Sequence, residues 1–405
     1  MKTLYFNVLV LFSVLLASCS SNEDTVSSES ANQNNSVTSK RPITTSSTVD
    51  ANATAETVAL FTNLKTLGQT RFAIGQQDAF NGFYDTSSTE SDIKKTTGYD
   101  PALLGSDFMF ITDKNNDGTS GNWFFQQEQK IISDVKQAYD KGMINMFTWH
   151  LREPYNENSF YTSDMTAQQQ ATAFKSILPG GSNHNWYKLK LDKIASVVSN
   201  LRGSDGKLIP IIFRPFHEFD GNWFWWGASF CTAQEYKTAY QFTVDYLKNT
   251  KGVHNLLYAY APDNSYTTSA GYLGRYPGDT YVDILGMDNY GDFNNQGQAG
   301  ADLANVKLKM ISDLAISKSK IAALTETGYQ VNSSNPAITG WFSNYLYNAV
   351  TANNVKISFV LFWNNSANGY YVPTPAASNA SDFINFVNLP KSTLINTLPN
   401  MYVQP

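Results

Sequence analysis

Apolar residues recur along the chain in short, nearly continuous runs that are separated by longer polar and amphipathic stretches. Runs of this kind are typical of strands that are buried on both faces of a parallel sheet. The predicted strands cover residues 72–75, 102–106, 144–149, 208–213, 256–259, 284–287, 321–325 and 357–362. Because parallel strands need long crossover connections, we expect a helix between most successive strands.

The stretches between these runs carry the apolar spacing of helices. Residues 128–141 place four apolar side chains on one side of a helix, namely Ile131, Ile132, Val135 and Ala138. Further helices are predicted at residues 188–201, 233–248, 303–316 and 336–352. Eight strands with intervening helices predict an α/β fold, a single (β/α)8 barrel. A doubly wound open sheet is the alternative, although no glycine-rich phosphate loop follows any predicted strand.

The beginning of the chain has the pattern of a secretory signal. An apolar run at residues 4–17 is too short to span a bilayer, and it ends in Leu16-Ala17-Ser18-Cys19, which resembles the lipobox of bacterial lipoproteins. We therefore expect residues 1–18 to be a lipoprotein signal peptide and Cys19 to be the lipidated residue. An ordinary signal peptide followed by an unrelated cysteine is the alternative.

A polar segment separates this signal from the predicted barrel. Residues 19–50 contain few apolar side chains and cannot bury enough surface to fold alone, so they are predicted to be a flexible lipidated tether. Residues 51–405 then form the barrel domain. Glu23 and Asp24 resemble the acidic signal that sends some lipoproteins to the cell surface. The expected location is the outer membrane, facing either the cell surface or the periplasm.

Composition narrows the range of ligands. The chain of 405 residues has a formal net charge of -5, and its Lys and Arg residues form no long run. Binding to nucleic acid therefore has little support, and the only expected membrane contact is the lipid. With 23 Tyr, 25 Phe and 8 Trp, the chain is rich in aromatic side chains that suit a neutral ligand. Since Cys231 is the only cysteine besides Cys19, no disulfide framework is possible, and we expect a monomer.

Polar side chains gather where the predicted strands end. In barrels of this class the functional groups come from the carboxyl ends of the strands and the loops after them. The residues at these positions are Gln76, Gln77, Asp107, His150, His217, Glu218, Asp288, Tyr290, Glu326, Trp363 and Asn364. The four His residues are dispersed without metal-ligand spacing, so no metal or other cofactor is predicted.

Two glutamates in this set have the context expected of a catalytic pair. Glu218 follows the fourth strand within residues 214–226 (RPFHEFDGNWFWW), where three Trp residues offer surfaces for stacking on sugars. Glu326 ends the seventh strand, and the ends of strands four and seven face each other across a barrel. Two carboxylates that flank one site are the basic apparatus of glycoside hydrolysis. The alternative for Glu218 is a structural ion pair with Arg214.

The segments 214–226, 286–290 (GMDNY) and 324–328 (LTETG) resemble glycoside hydrolase family 26, and the likeness extends from about residue 55 to the C-terminus. The resemblance implies a retaining endo-β-1,4-mannanase that cleaves mannan, galactomannan or glucomannan. It assigns Glu218 as the acid/base and Glu326 as the nucleophile. The substrate-binding residues it implies are His150, His217, Trp223, Tyr290 and Trp363. Arg214 and Asp288 would support them.

The resemblance leaves the sugar and the product pattern open. Mixed-linkage β-glucanase and β-1,3-xylanase activities belong to the same family, and a non-catalytic glycan-binding lipoprotein is a third alternative. Some family members carry an arginine directly after the eighth-strand tryptophan that grips a sugar on the glycone side. This chain has Asn364 at that position, which puts tight recognition of the glycone in doubt.

Overall fold

The computed structural model describes residues 48–80 and 90–405, in which eight parallel strands close into a barrel. The strands are β1 (Phe72–Gln77), β2 (Leu103–Asp107), β3 (Ile144–Thr148), β4 (Ile211–Arg214), β5 (Leu256–Tyr260), β6 (Ile284–Asn289), β7 (Ile321–Thr327) and β8 (Phe359–Phe362). The barrel is closed because β1 pairs with both β2 and β8. A short β9 (Ser392–Thr393) also pairs with β1. The predicted (β/α)8 barrel is confirmed.

Helices occupy most of the connections. They are α1 (Ala55–Leu67), α2 (Asp92–Thr97), α3 (Trp123–Asp140), α4 (Ala167–Ile177), α5 (His184–Val198), α6 (Ala233–Asp245), α7 (Ser269–Tyr272), α8 (Gly297–Ser317), α9 (Tyr347–Thr351) and α10 (Ala380–Val387). The segments Tyr246–Thr250 and Trp341–Leu346 are π-helical. The helix predicted at 336–352 is therefore a π-helical turn followed by the short α9. Among the described residues, no helix is both long and apolar enough to cross a membrane.

Local chemistry explains where the observed boundaries differ from the predicted ones. The fourth strand begins at Ile211 rather than at residue 208, because Pro210 has no N–H to donate to the sheet. Helix α3 begins at Trp123, five residues before the predicted start, because the Asn122 side chain accepts a hydrogen bond from the Phe125 N–H and caps the helix.

Helix α1 lies beneath the barrel, at the end where the strands begin. Its first turn is held there by the Thr54 N–H, which donates to the His254 carbonyl just before β5. In its last turn, the Leu64 carbonyl accepts a hydrogen bond from the hydroxyl of Ser358, the residue before β8. Val49, which precedes this helix, lies at the same end of the barrel, because its N–H donates a hydrogen bond to the buried Asp283 carboxylate. The opposite end, where the strands finish, carries the polar residues singled out above. The signal segment and Cys19 lie outside the described residues.

A bulge in β7 sets the direction of the side chains near its end. Met287 of β6 is paired with Leu324, but the next residue, Asp288, is paired with Glu326, so Thr325 is an extra residue in β7. The Thr325 hydroxyl donates to the Asp288 carboxylate at 2.7 Å. Gly286 leaves the space for this arrangement, because a Cβ atom at that position would lie 2.6 Å from the Thr325 Cγ2.

We predict that Gly286→Ala lowers the free energy of unfolding by about 1–3 kcal/mol, since the added methyl group meets a stiff, buried threonine rather than a flexible side chain. Urea denaturation followed by circular dichroism measures the change. Gly274→Ala is the matched control, because a Cβ there has no neighbour within 4 Å. Equal stability of the Gly286→Ala variant and the wild type would show that the contact at β7 can relax without cost.

Candidate active site

Glu218 lies in the tight turn that follows β4. The strand ends at Arg214, and the turn that follows places both Phe216 and Glu218 at φ of 50°. Such angles are costly for residues other than glycine, and they persist only where surrounding contacts enforce them. Here the Glu218 N–H donates to the Ala261 carbonyl in the loop after β5, at 2.9 Å. The turn thereby brings the Glu218 side chain to the open end of the barrel.

Glu326 is held by donors on both of its carboxylate oxygens. The Arg214 guanidinium donates to Oε1, and the Tyr290 hydroxyl donates to Oε2 at 2.9 Å. Arg214 also donates to the fully buried Asp288. Burial alone would lower the pKa of Arg214, but the carboxylates of Asp288 and Glu326 outweigh it and raise that pKa. Glu326 is therefore positioned as an oriented carboxylate beside a permanent cation.

The structure does not support the alternative of an ion pair between Glu218 and Arg214. Both ion pairs of Arg214 within the described chain go to Asp288 and Glu326. Glu218 instead accepts a hydrogen bond from the Trp223 indole N–H, at 2.6 Å from Nε1 to Oε2. Burial raises the pKa of Glu218 well above its ordinary value, and the carboxylates of Asp288 and Glu326 raise it further. The two glutamates thus differ in their surroundings: burial and neighbouring carboxylates raise the pKa of Glu218, whereas Glu326 accepts hydrogen bonds from Arg214 and Tyr290.

A chain of hydrogen-bonding groups fixes the residue before Glu218. Nδ1 of His217 lies 3.2 Å from the Thr148 hydroxyl, and its Nε2 lies 3.2 Å from Nε2 of His150. Nδ1 of His150 lies 2.5 Å from the Asp107 carboxylate. Burial lowers the pKa of His217 well below its ordinary value, so its imidazole is neutral. The Trp226 indole donates to the His217 carbonyl, which anchors the same turn from behind.

The predicted aromatic residues fall into two groups. Trp223 is 38% exposed and borders the site, and Trp363 lies 5.8 Å from His150 between ring centroids. Trp225 and Trp226 are fully buried and pack in the core, so Trp223 is the one of the three that offers a surface for stacking. All the residues proposed from the strand ends therefore lie near one end of the barrel. Some of them line the cleft, and the others hold those residues in place.

Tyr161 and Tyr371 are near the site, although the sequence did not single them out. Burial raises the pKa of Tyr161, and the Glu218 and Glu326 carboxylates act in the same direction. Burial, followed by Glu326, raises the pKa of Tyr371 to about 12. Both tyrosines stand in long loops beyond β3 and β8, where strand-end reasoning gives no signal. Only their location in loops at the open end of a barrel could have indicated them.

Three buried side chains, His217, Asp288 and Glu326, bring possible metal-ligating atoms within 4.8 Å of one another. The Arg214 guanidinium already lies against the carboxylates of Asp288 and Glu326. A positive group is therefore built into this cluster by the protein itself. The arrangement fits acid–base and nucleophilic chemistry by carboxylates.

Several proteins of known activity are similar to this chain in sequence. A mannan endo-1,4-beta-mannosidase of Bifidobacterium adolescentis is 34% identical over 362 residues, which cover 85% of this chain but only 35% of that protein. The chain thus spans about a third of that relative's length. A mannan endo-1,4-beta-mannosidase of Bacillus subtilis is 29% identical over 223 residues, covering 52% of this chain and 57% of the relative.

Solved structures match over most of the barrel. The structure of GH26C from a Muricauda species superimposes with a TM-score of 0.87 at 59% identity, covering 88% of this chain and 96% of the other. An endo-beta-1,4-mannanase of Cellulomonas fimi gives 0.81 at 32% identity, covering 88% and 79%. The model of glycosyl hydrolase family 26 matches residues 49–357. The chain belongs to glycosyl hydrolase family 26.

Proposed function

We propose that the protein is a retaining endo-β-1,4-mannanase that cleaves internal bonds of mannan, galactomannan or glucomannan. The observation that carries this proposal is the unequal treatment of two carboxyl groups at one cleft. Glu326 accepts hydrogen bonds from Arg214 and Tyr290, whereas burial and nearby carboxylates raise the pKa of Glu218 well above its ordinary value. A charged nucleophile beside a protonated acid is what a double displacement requires.

In the first step, the Glu326 carboxylate attacks the anomeric carbon while Glu218 donates its proton to the leaving glycosidic oxygen. The bond from the anomeric carbon to that oxygen breaks as an ester to Glu326 forms. Arg214 and Tyr290 restrict the Glu326 carboxylate to one orientation, which lowers the entropic cost of reaching the reactive geometry. The position of Trp223, next to Glu218, suits a wall that holds the sugar against the acid.

The second step reverses the role of Glu218. Once Glu326 has become an ester, its negative charge is gone, and with it one of the causes that raise the pKa of Glu218. Glu218 has given up its proton in the first step, so its carboxylate can accept a proton from water. The water oxygen bonds to the anomeric carbon as the ester bond to Glu326 breaks, and the sugar leaves with retained configuration. Neutral His217 behind the turn keeps the carboxyl group in place through both steps.

The polysaccharide specificity is tested by incubating the purified protein with galactomannan, glucomannan, barley glucan and β-1,3-xylan. We expect a rapid fall in the viscosity of the mannans with a small release of reducing ends, because internal cleavage shortens a polymer before it frees many ends. Barley glucan and β-1,3-xylan serve as controls for the two alternative activities. Cleavage of barley glucan with none of any mannan would establish the glucanase instead, and inertness on all four would favour the glycan-binding alternative.

The two glutamates are distinguished by their response to an aryl glycoside with a good leaving group. Glu326→Ala should remove activity on every substrate, because no nucleophile remains. Glu218→Ala should lose about 10²–10⁴-fold on polysaccharide, yet still release the aryl group in the first step. Added azide should then accelerate turnover of Glu218→Ala and give a β-azide product. A β-azide from Glu326→Ala, together with an α-azide from Glu218→Ala, would exchange the two roles.

We further propose that the protein is a lipoprotein of the outer membrane, facing the cell surface or the periplasm. The support comes from the sequence alone: an apolar run at residues 4–17 precedes Cys19, and a polar segment follows it. A lipid on Cys19 would keep the enzyme at the membrane while the tether gives it reach toward a polymer that cannot enter the bilayer.

Cys19→Ala is expected to move the protein from the membrane fraction to the soluble fraction, because the only proposed attachment is lost. Fractionation of cells followed by immunoblotting measures the distribution. Cys231→Ala is the matched control, since the thiol of Cys231 is buried in the barrel and should leave the distribution unchanged. Continued membrane association of Cys19→Ala would rule out lipidation at this residue.

A further inference from the structure

A chain of hydrogen bonds links four side chains behind Glu218. Its members are Asp107 at the end of β2, Thr148 at the end of β3, His150 just beyond it, and His217 in the turn after β4. Nδ1 of His150 lies 2.5 Å from Oδ2 of Asp107, and the Nε2 atoms of the two histidines lie 3.2 Å apart. Nδ1 of His217 lies 3.2 Å from the Thr148 hydroxyl. Each of the four ring nitrogens therefore has a partner within the protein.

The Asp107 end of the chain decides where the ring protons lie. An ionised carboxylate only accepts hydrogen bonds, and a neutral imidazole has one donor nitrogen and one acceptor nitrogen. A neutral His150 must therefore carry its proton on Nδ1 and accept with Nε2. Burial, followed by the charge of Arg214, lowers the pKa of His217 well below its ordinary value, so its ring has a single N–H. That N–H must be on Nε2, and Nδ1 of His217 must accept from the Thr148 hydroxyl.

The Thr148 end favours the same direction. In the reverse direction His217 would donate from Nδ1 to Thr148, and the hydroxyl hydrogen of Thr148 would need another acceptor. Within the described part of the chain this hydroxyl, on a residue that is 1% exposed, makes no other hydrogen bond. A buried donor without a partner is destabilising. The chain therefore runs from the Thr148 hydroxyl, through both imidazoles, to the Asp107 carboxylate.

Aromatic side chains enclose the two imidazoles. The ring of His150 lies 4.8 Å from that of Phe160 and 5.4 Å from that of Phe224, between centroids. The ring of His217 lies 5.1 Å from Phe224 and 5.8 Å from Trp226, whose indole N–H already donates to the His217 carbonyl. Because these faces offer the ring nitrogens no alternative acceptor, neither imidazole can turn without losing a hydrogen bond in a buried site.

The ring of His217 is thereby tied to a strained turn. The residues on either side of it, Phe216 and Glu218, both have a φ of 50°. Such angles persist only where surrounding contacts enforce them. The direction in which the Glu218 side chain leaves the turn therefore depends on how firmly His217 is held, and through His150 it depends on Asp107.

We propose that Asp107 is a positioning residue for the acid/base Glu218, because it sets the direction of the hydrogen-bond chain and with it the Nε2–H tautomer of His217. The inference rests on the proposed function for the role of Glu218. Asp107 is suited to this part because its other oxygen, Oδ1, is fixed by the backbone N–H groups of Met109 and His150, at 2.8 and 3.2 Å. Oδ2 is left for the His150 ring.

Nuclear magnetic resonance of protein labelled with nitrogen-15 in histidine reads the tautomers, because the chemical shift of a ring nitrogen changes strongly when it carries a proton. At about pH 8, where imidazole is neutral, we expect the proton on Nδ1 of His150 and on Nε2 of His217. His150→Gln and His217→Gln assign the signals. In Asp107→Asn the side-chain oxygen should stay on the two backbone N–H groups and turn its NH2 group to His150, so both ring protons should move to the other nitrogen. The reverse tautomers in the wild type, or unchanged tautomers in Asp107→Asn, overturn the proposal.

Kinetics shows whether the chain acts through Glu218. Asp107→Asn should lower kcat on galactomannan about 10–100-fold with KM unchanged, because a displaced acid protonates the leaving oxygen poorly. The first step on an aryl glycoside with a good leaving group needs no proton and should keep its wild-type rate. Thr148→Val, which removes the hydroxyl from the other end of the chain at a buried position, should give the same split. A change in KM alone, or an equal loss on both substrates, overturns the positioning role.

Asp50→Asn is the matched control, because Asp50 contacts Nδ1 of His254 at 2.7 Å in a similar pair at the opposite end of the barrel. It should leave both rates unchanged, and the same split in this variant would also overturn the proposal. The tautomers are read without substrate, so they decide on the chain even if the wild type cleaves no mannan. In that case the proposed function is wrong, and the rates are compared on the polymer that is cleaved. If the wild type cleaves mannan and Asp107→Asn cleaves it equally well, only the positioning role is wrong.

Discussion

The arrangement of the active site depends on one buried cation, the guanidinium of Arg214 at the end of β4. It reaches two neighbouring strands at once, because it donates to Asp288 of β6 and to Glu326 of β7. Breaking a buried ion pair by removing one partner is destabilising by about 3–5 kcal/mol, so the loss of either carboxylate should destabilise the site. Asp288 therefore belongs to the site although it need not touch a substrate: it balances the cation that orients Glu326.

The same cation explains why two carboxyl groups of one cleft behave differently. Arg214 contacts Glu326 directly and Glu218 only through space, so its stabilising effect on negative charge is concentrated on Glu326. Burial and the repulsion of two carboxylates both raise the pKa of Glu218. The difference in surroundings that the proposed acid and nucleophile require is thus built into which strand carries which residue. The bulge at Thr325 is the local feature that turns Glu326 toward the guanidinium.

Much of this fold could be predicted because eight strands of a parallel barrel are buried on both faces and stand out as apolar runs. The two glutamates could also be found, since each follows such a run. The details that failed depend on contacts distant in sequence. Nothing in residues 214–218 indicates that Glu218 has a positive φ, because the Ala261 carbonyl beyond β5 helps to hold that turn.

The residues of the site fall into two groups. One group stands on the strands and bears on the reaction, and the other stands in loops and helix starts and bears on the choice of substrate. Arg214, Asp288 and Glu326 stand on strands whose geometry the barrel dictates, so a family resemblance in short motifs is informative about the chemistry. Trp123 stands instead at the start of a helix whose first turn the apolar pattern missed, and Asn364 lies in the loop after β8. Recognition of the proposed polysaccharide is expected to depend on such loop elements, which is why the sequence indicates glycoside hydrolysis more firmly than it indicates the substrate.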